Sequence, residues 1–336
     1  MSILQSYRLR LRRKRWELRA RRKERELTCV VDNAQKLPRD GVVLLATVHN
    51  EYPRLPYFLE YYRKLGVAHF IFVDNASTDE TIEFLRQHKD VSVWKADGDY
   101  KSARFGVDWI TVLQNKYCLN RWTLVVDADE LFVYPYCDTR PIDALTCWLD
   151  DSGVRSFGAM LLDMYPKGPI SDAVCAIGQD PLDVAHWFDA GNYSYEPNEK
   201  MGNLWIQGGV RMRCFFRDRP SVAPALNKIP LVKWQKGYVY DSSTHMLLPR
   251  GLNLVYDQAG GEKTSGVLLH TKFLHTLSEK VMDDPLTIQH YAGGREYAAY
   301  KAIWSDQPEL WNRWSEKYIN WRQLEILGLI SKGNWA

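Results

Sequence analysis

Three carboxylates fall within four positions in Leu124-Val125-Val126-Asp127-Ala128-Asp129-Glu130-Leu131-Phe132. The apolar residues before them read as a buried strand, so the acidic run lies where that strand leaves its sheet. Open α/β sheets bind ligands at those carboxyl ends. Like charges so crowded repel unless a positive partner sits among them. A divalent cation, Mn²⁺ or Mg²⁺, is the natural one, because hard cations take carboxylate oxygens and bridge to phosphates. The bland alternative for a D-x-D tripeptide is a surface turn with one aspartate capping a helix. Position tells against it. Asp127 ends a fourth strand, Asp74 and Asp79 fall at the end of a second, and Thr47 to Glu51 at the end of a first. In a parallel sheet these groups share one edge, where carboxylates and a cation would hold a nucleoside diphosphate.

The elements that must position them alternate strand and helix, the signature of βαβ units on a mostly parallel sheet. Val42 to Val48 is an apolar run suited to a strand covered on both faces. Leu55, Phe58, Leu59, Tyr62 and Leu65 repeat at helical spacing before a terminating Gly66. His69 to Asn75 reads as a strand, and Ser77-Thr78-Asp79-Glu80 as a capping box opening a helix through Leu85. Val91 to Ala96, Ser102 to Tyr117 and Trp122 to Asp127 follow as strand, helix and strand. Beyond Pro135 the best strands are Ser156 to Leu162, Val210 to Phe216 and Gly266 to Leu274. Residues 165–205 form a Gly-, Pro-, Asp- and Asn-rich excursion, and Trp311, Trp314, Tyr318, Trp321 and Leu324 share one helical face. The division expected is a basic arm and linker over 1–40, a regular strand–helix half over 41–135 that would carry the nucleoside diphosphate, a less regular half over 136–305 that would complete the site, and a C-terminal helix over 306–336.

Ala46-Thr47-Val48-His49-Asn50-Glu51, Val73-Asp74-Asn75-Ala76-Ser77-Thr78-Asp79, Ser102-Ala103-Arg104-Phe105-Gly106 and Val126-Asp127-Ala128-Asp129-Glu130 resemble, in order, the successive blocks of family 2 glycosyltransferases with the GT-A fold. Asn227-Lys228-Ile229-Pro230-Leu231-Val232, Ser243-Thr244-His245 and Leu268-Leu269-His270-Thr271-Lys272 resemble a bacterial family-2-like subgroup. The resemblance implies a Rossmann-like GT-A sheet with a less regular C-terminal acceptor region, and transfer of a sugar with inversion from a nucleotide donor to a glycan, lipid-linked or small acceptor, as in polysaccharide biosynthesis. It puts Thr47, Glu51, Asp74 and Asn75 at the donor's base and ribose, and Arg104 near the nucleotide or diphosphate. Asp127 would lie between sugar and metal, and Asp129 would bind the cation. Asn75 stands where an Asp is common, which leaves the base open. His270 is the late histidine that would complete the metal shell, with His245 as its rival. Each also reads as a satisfied core histidine.

The chemistry agrees with that transfer, since a leaving nucleoside diphosphate develops charge that a cation stabilises. An inverting enzyme needs a carboxylate to take the acceptor proton. Asp163, after Met160-Leu161-Leu162, is the candidate, with Glu196 and Glu296 as rivals and a capping aspartate as the bland reading. Lys272 and Arg295 could meet the diphosphate.

Composition bounds the rest. The 336 residues, 46% hydrophobic and 25% charged, belong to a folded globular chain. No apolar run approaches the roughly 20 residues that span a bilayer. Six scattered cysteines without a C-x-x-C pair and an N-terminus without an apolar core suggest a reduced, cytoplasmic setting. Residues 1–27 hold 11 Lys/Arg against 3 Asp/Glu, an excess of +8, leaving 33 against 38 elsewhere, or −5. Residues 7–27 therefore read as a solvated basic helix or mobile arm and as a candidate tether to an anionic membrane. Nucleic acid is disfavoured because the body offers no basic groove. Competing functions are a nucleotidyltransferase or phosphohydrolase on the same acidic site, against which no Gly-rich basic loop follows Val48, and a polyanion- or membrane-binding module using the arm.

Overall fold

The computed structural model describes residues 2–34, 37, 40–257, 263–277, 300 and 309–335. Its strands are β1 (Leu27–Val31), β2 (Val43–Val48), β3 (His69–Asp74), β4 (Val91–Ala96), β5 (Trp122–Val125), β6 (Glu130–Val133), β7 (Ser156–Asp163), β8 (Trp187–Asp189), β9 (Tyr193–Asn198), β10 (Asn203–Gly208), β11 (Asn227–Lys233), β12 (Val239–Ser242), β13 (Met246–Leu248), β14 (Gly266–His270) and β15 (Ser315–Lys317). Nine form one sheet in the order β1-β4-β3-β2-β5-β11-β7-β14-β6. β2, β3, β4, β5, β7 and β14 run one way, and β1, β11 and β6 the other. This is the expected α/β sheet, mostly parallel and flanked by helices. It is continuous across the two halves expected from the sequence, because β7, β11 and β14 join β5 and β6 in it.

Alternation along the strands assigns the two faces. Leu44, Ala46, Phe70 and Phe72 pack with Leu55, Phe58 and Leu59 of α2 (Leu55–Leu65) and Ile142 and Leu145 of α5 (Ile142–Asp151). Val43, Leu45, Ile71 and Val73 pack with Val107, Ile110 and Leu113 of α4 (Val107–Tyr117). Gly66 ends α2 at φ +98° as expected.

Several expectations are corrected. The basic N-terminal segment is a helix, α1 (Ile3–Lys23), but it is docked rather than merely solvated. Leu9, Glu17 and Ala20 are buried, and the helix lies on α4 and β12. Trp16 Nε1 donates to Asp241 (2.8 Å), while Arg12 and Arg19 pair with Asp241 and Asp108 at 2.6 and 2.9 Å. The chain then adds β1 to the sheet edge beside β4, a short strand beyond those expected from the sequence.

Ser102 to Gly106 is a series of turns, and the helix starts only at Val107. The capping box does not form. α3 (Thr81–Leu85) begins later, and Asp79 accepts from the backbone N–H groups of Thr81 (3.1 Å) and Tyr52 (3.1 Å), tying two loops together. Val210 to Phe216 lies mostly in a helix, α6 (Gly209–Phe215). Gly208 and Gly209, both at positive φ, turn the chain out of β10, and a Cβ on Gly208 would meet Asn192 O at 2.3 Å. The aromatic C-terminal stripe is not one helix. Ser315–Lys317 pairs with β8, Trp314 is exposed, and a helix spans only Trp321–Ile326, opened by Asn320 accepting from Arg322 and Gln323. The strand beginning at Gly266 stops at His270, where the chain bends into the site. All six cysteines are free thiols, and among the described residues no helix is long and apolar enough to cross a membrane.

Candidate functional site

Six strands deliver their carboxyl ends to one sheet edge, and β11 and β6, running the other way, begin there. Residues 126–129 connect β5 to β6, which lies beyond β11, β7 and β14 in the sheet, so the acidic segment passes over the ends of those strands. It is pinned there: Asp129 O accepts from Thr271 N (2.8 Å) and Thr271 Oγ1 (3.1 Å), and Glu130 O accepts from Tyr62 Oη (2.8 Å). That crossing makes residues far apart in sequence neighbours.

Two linked charge clusters result. Asp129 Oδ2 lies 3.3 Å from His270 Nε2. His270 Nδ1 donates to Asp163 Oδ1 at 2.6 Å, and Arg211 Nε donates to Asp163 Oδ2 at 2.8 Å. Burial opposes a charge on His270, but Asp129 and Asp163 outweigh it and lift the imidazole to about 9. Against the same burial, His270 carries Asp129 well below the usual carboxylate range, and Arg211 with His270 lowers Asp163.

In the second cluster, buried Lys228 on β11 donates to Asp127 Oδ2 (3.1 Å) and Glu130 Oε1 (2.5 Å). Asp127 is about half exposed, whereas Glu130 is buried. Burial pushes Glu130 up against the opposing pull of Lys228, and the two carboxylates outweigh burial to keep Lys228 charged. His245 Nδ1 lies 2.6 Å from Asn227 O, and burial with nearby Lys228 lowers it to about 4, leaving it neutral near pH 7.

The residues present fit a hard divalent cation only in part. Asp129 and the Nε2 atom of His270 face each other, and Asp163 holds the far side of the ring in the orientation metal-binding histidines use. Asp127 is engaged by Lys228. Among the described residues no three His, Cys, Asp or Glu side chains converge on one point. A cation here would take the remainder of its shell from phosphate and water, as Mg²⁺ commonly does.

Thr47 and Asp74 sit on the adjacent parallel strands β2 and β3, Val48 opposite Asp74. Asp74 is fully buried. Its Oδ1 accepts from Ser77 N (3.2 Å), its Oδ2 has no partner among the described residues, and burial raises its carboxyl despite Ser77. Thr47 Oγ1 is likewise buried without a partner and faces Gly106, where a Cβ would come within 2.5 Å of it. Glu51 pairs with Arg54 at 3.2 Å. The Asn75 amide donates to Ala96 O (3.0 Å) and Gly98 O (2.9 Å), so it braces a loop.

Arg104 points elsewhere. At φ +51° it bonds Asp108 and Tyr240 O, and its guanidinium lies 4.4 Å from the Trp16 ring centroid. Glu196 lies exposed in the β9–β10 hairpin, Lys272 lies 5.1 Å from the Tyr300 ring centroid, and Arg295 and Glu296 fall outside the described residues.

Sequence reasoning missed Arg211 and Arg54, whose guanidinium donates to Thr271 O (3.0 Å), and it gave Lys228 and Glu130 no role of their own. A lysine opening the apolar run Ile229-Pro230-Leu231-Val232 and an arginine two residues after the Gly208-Gly209 pair were the available signals.

No family model matches the chain, and no curated protein does. Among solved structures it is similar to 4-diphosphocytidyl-2C-methyl-D-erythritol synthase, with 16% identity over 38% of this chain and 63% of that one, at a TM-score of 0.25. HddC from Yersinia pseudotuberculosis is 11% identical over 65% and 80%, at 0.26. A putative glucose-1-phosphate thymidylyltransferase from Bacillus anthracis is 11% identical over 86% and 95%, at 0.26. The chain thus spans less than two thirds of the length of the first.

Proposed function

We propose that the protein is a glycosyltransferase that moves a sugar, with inversion, from a nucleoside-diphosphate donor to a glycan, lipid-linked or small acceptor. The observation that carries the reading is the chain Asp129–His270–Asp163–Arg211, buried except for Asp129, on the same sheet edge as Asp74, whose Oδ2 is unpartnered. An unpartnered buried carboxylate oxygen is costly unless a ligand donates to it. Asp74 with Thr47 therefore takes the nucleoside, its oxygen accepting from a ribose hydroxyl or base N–H.

Asp129 and His270 would hold Mn²⁺ or Mg²⁺, which when bound supplies Lewis-acid stabilisation to the departing diphosphate. Lys228, buried between Asp127 and Glu130, fixes the acidic segment and leaves the exposed side of Asp127 toward the sugar. Asp163 is better suited to positioning than to proton transfer, because His270 and Arg211 occupy both its oxygens. Arg104, committed to Asp108 and Trp16, supports its loop rather than the diphosphate.

The test is nucleoside-diphosphate binding with and without Mn²⁺, followed by a panel of nucleotide sugars. Mn²⁺ should strengthen binding in the parent chain and not in Asp129→Ala, and turnover should release nucleoside diphosphate. An undiminished Mn²⁺ effect in the variant refutes the site, while release of pyrophosphate would make the protein a nucleotidyltransferase.

A further inference from the structure

α1 has two faces with different tasks. Its inner face carries Leu9, Trp16 and Ala20, and its basic residues there meet carboxylates of the body, Arg12 with Asp241 and Arg19 with Asp108. Leu4, Tyr7, Leu11 and Leu18 recur at spacings of three, four and seven, which on a helix makes one stripe. Each is between 51% and 58% exposed, so the stripe faces solvent. Arg8 and Arg15 flank it on one side and Arg10 on the other, with Arg22 near its C-terminal end. All four are exposed and meet no carboxylate among the described residues.

We propose that this outer face of α1 lies on an anionic lipid surface, with its leucines and Tyr7 at the headgroup–acyl boundary and its arginines on lipid phosphates. A cationic helix that only contacted a polyanion backbone would have no use for an exposed leucine row. Apolar residues on one ridge with basic residues beside them are the arrangement that partitions into an interface. Charge complementarity commits the occupant: the surface is cationic while the chain after residue 27 is net acidic at −5. The helix is already folded and fixed to the body, its start closed by a capping box in which Ser2 and Gln5 exchange hydrogen bonds, so binding need not order it. The inference stands independently of the nucleotide chemistry.

Because the inner face of α1 belongs to the fold, the test uses surface substitutions in the full chain rather than deletion. The protein is sedimented with vesicles of phosphatidylcholine alone and of phosphatidylcholine with phosphatidylglycerol. Binding should require phosphatidylglycerol. It should weaken at least about tenfold both in Arg8→Gln/Arg10→Gln/Arg15→Gln/Arg22→Gln and in Leu4→Ser/Leu11→Ser/Leu18→Ser, with melting temperatures near the parent's. Absent binding, equal binding to both vesicle types, or undiminished binding of the leucine variant would each overturn the proposal. The last, with comparable affinity for duplex nucleic acid, would reassign the face to a polyanion.

Discussion

Asp74→Asn should separate stability from ligand binding. The carboxylate is fully buried at the end of β3, one oxygen takes the Ser77 N–H, and the other has no partner. An orphaned buried acceptor costs about 1–3 kcal/mol. Asparagine keeps an oxygen for Ser77 and removes the charge, so the variant should be more stable by about 1 kcal/mol, the low end, since its amide N–H₂ meets no acceptor either. In a chain this long that is a rise of roughly 1–2 °C in melting temperature.

The sign of the pH dependence follows from burial raising the carboxyl. The wild type bears the penalty only where Asp74 is ionised. The variant's advantage is therefore absent below the unfolded carboxyl range near about 4 and grows as pH rises through the folded value. Nucleotide binding should move the other way. Losing a hydrogen bond to a charged group costs about 1.5–3 kcal/mol, or roughly ten- to a hundredfold in affinity. Urea melts from pH 4 to 8 beside titration calorimetry with nucleoside diphosphates measure both. A variant that is less stable at pH 8, or that binds nucleotide unchanged, refutes the assignment of Oδ2 to a ligand.

Lys228→Met strands Glu130, which is 1% exposed, beside Asp127 and should cost about 3–5 kcal/mol in urea denaturation. Adding Glu130→Gln should recover most of that loss, and a double variant as unstable as the single would show that the pair is not the cause. His69, buried on β3 against Ser92 Oγ (2.9 Å), is held below its ordinary range by burial. Its unfolded form takes the proton first, so it removes stability as pH falls below about 6.5, and His69→Gln should flatten that part of the stability–pH curve.

What the sequence made legible was carried by short-range periodicity. β2, β3 and β4 lie within a residue of where apolar runs put them, and α2 ends at Gly66, because each is decided by burial on both sides or by one turn residue. Asp129 and Asp163, both expected at strand ends, are joined through His270, which only the resemblance had pointed to. Alternation failed at Val210–Phe216, where Val, Met, Cys and Phe at every second place mimic a strand, while two glycines at positive φ and the pull of Asp163 on Arg211 make a helix. Lys228 and Arg211 stayed hidden for a related reason. A cation next to apolar residues looks like an interruption until the partner that neutralises it is known, and those partners lie 101 and 48 residues away.

The N-terminal charge shows the same limit from the other side. Counting +8 over 27 residues cannot say which charges are spent inward. Arg12 and Arg19 neutralise buried Asp241 and Asp108, and Trp16 stacks on Arg104, whose loop ends at Gly106 against Thr47. The helix with the outer arginines thus also buttresses the loop beside Thr47, so removing it would strip counter-charges from Asp241 and Asp108 as well as its outer charges. For that reason deletion of the arm cannot isolate its role, whereas substitutions at Leu4, Leu11 and Leu18, half-exposed on the outer side of the helix, can.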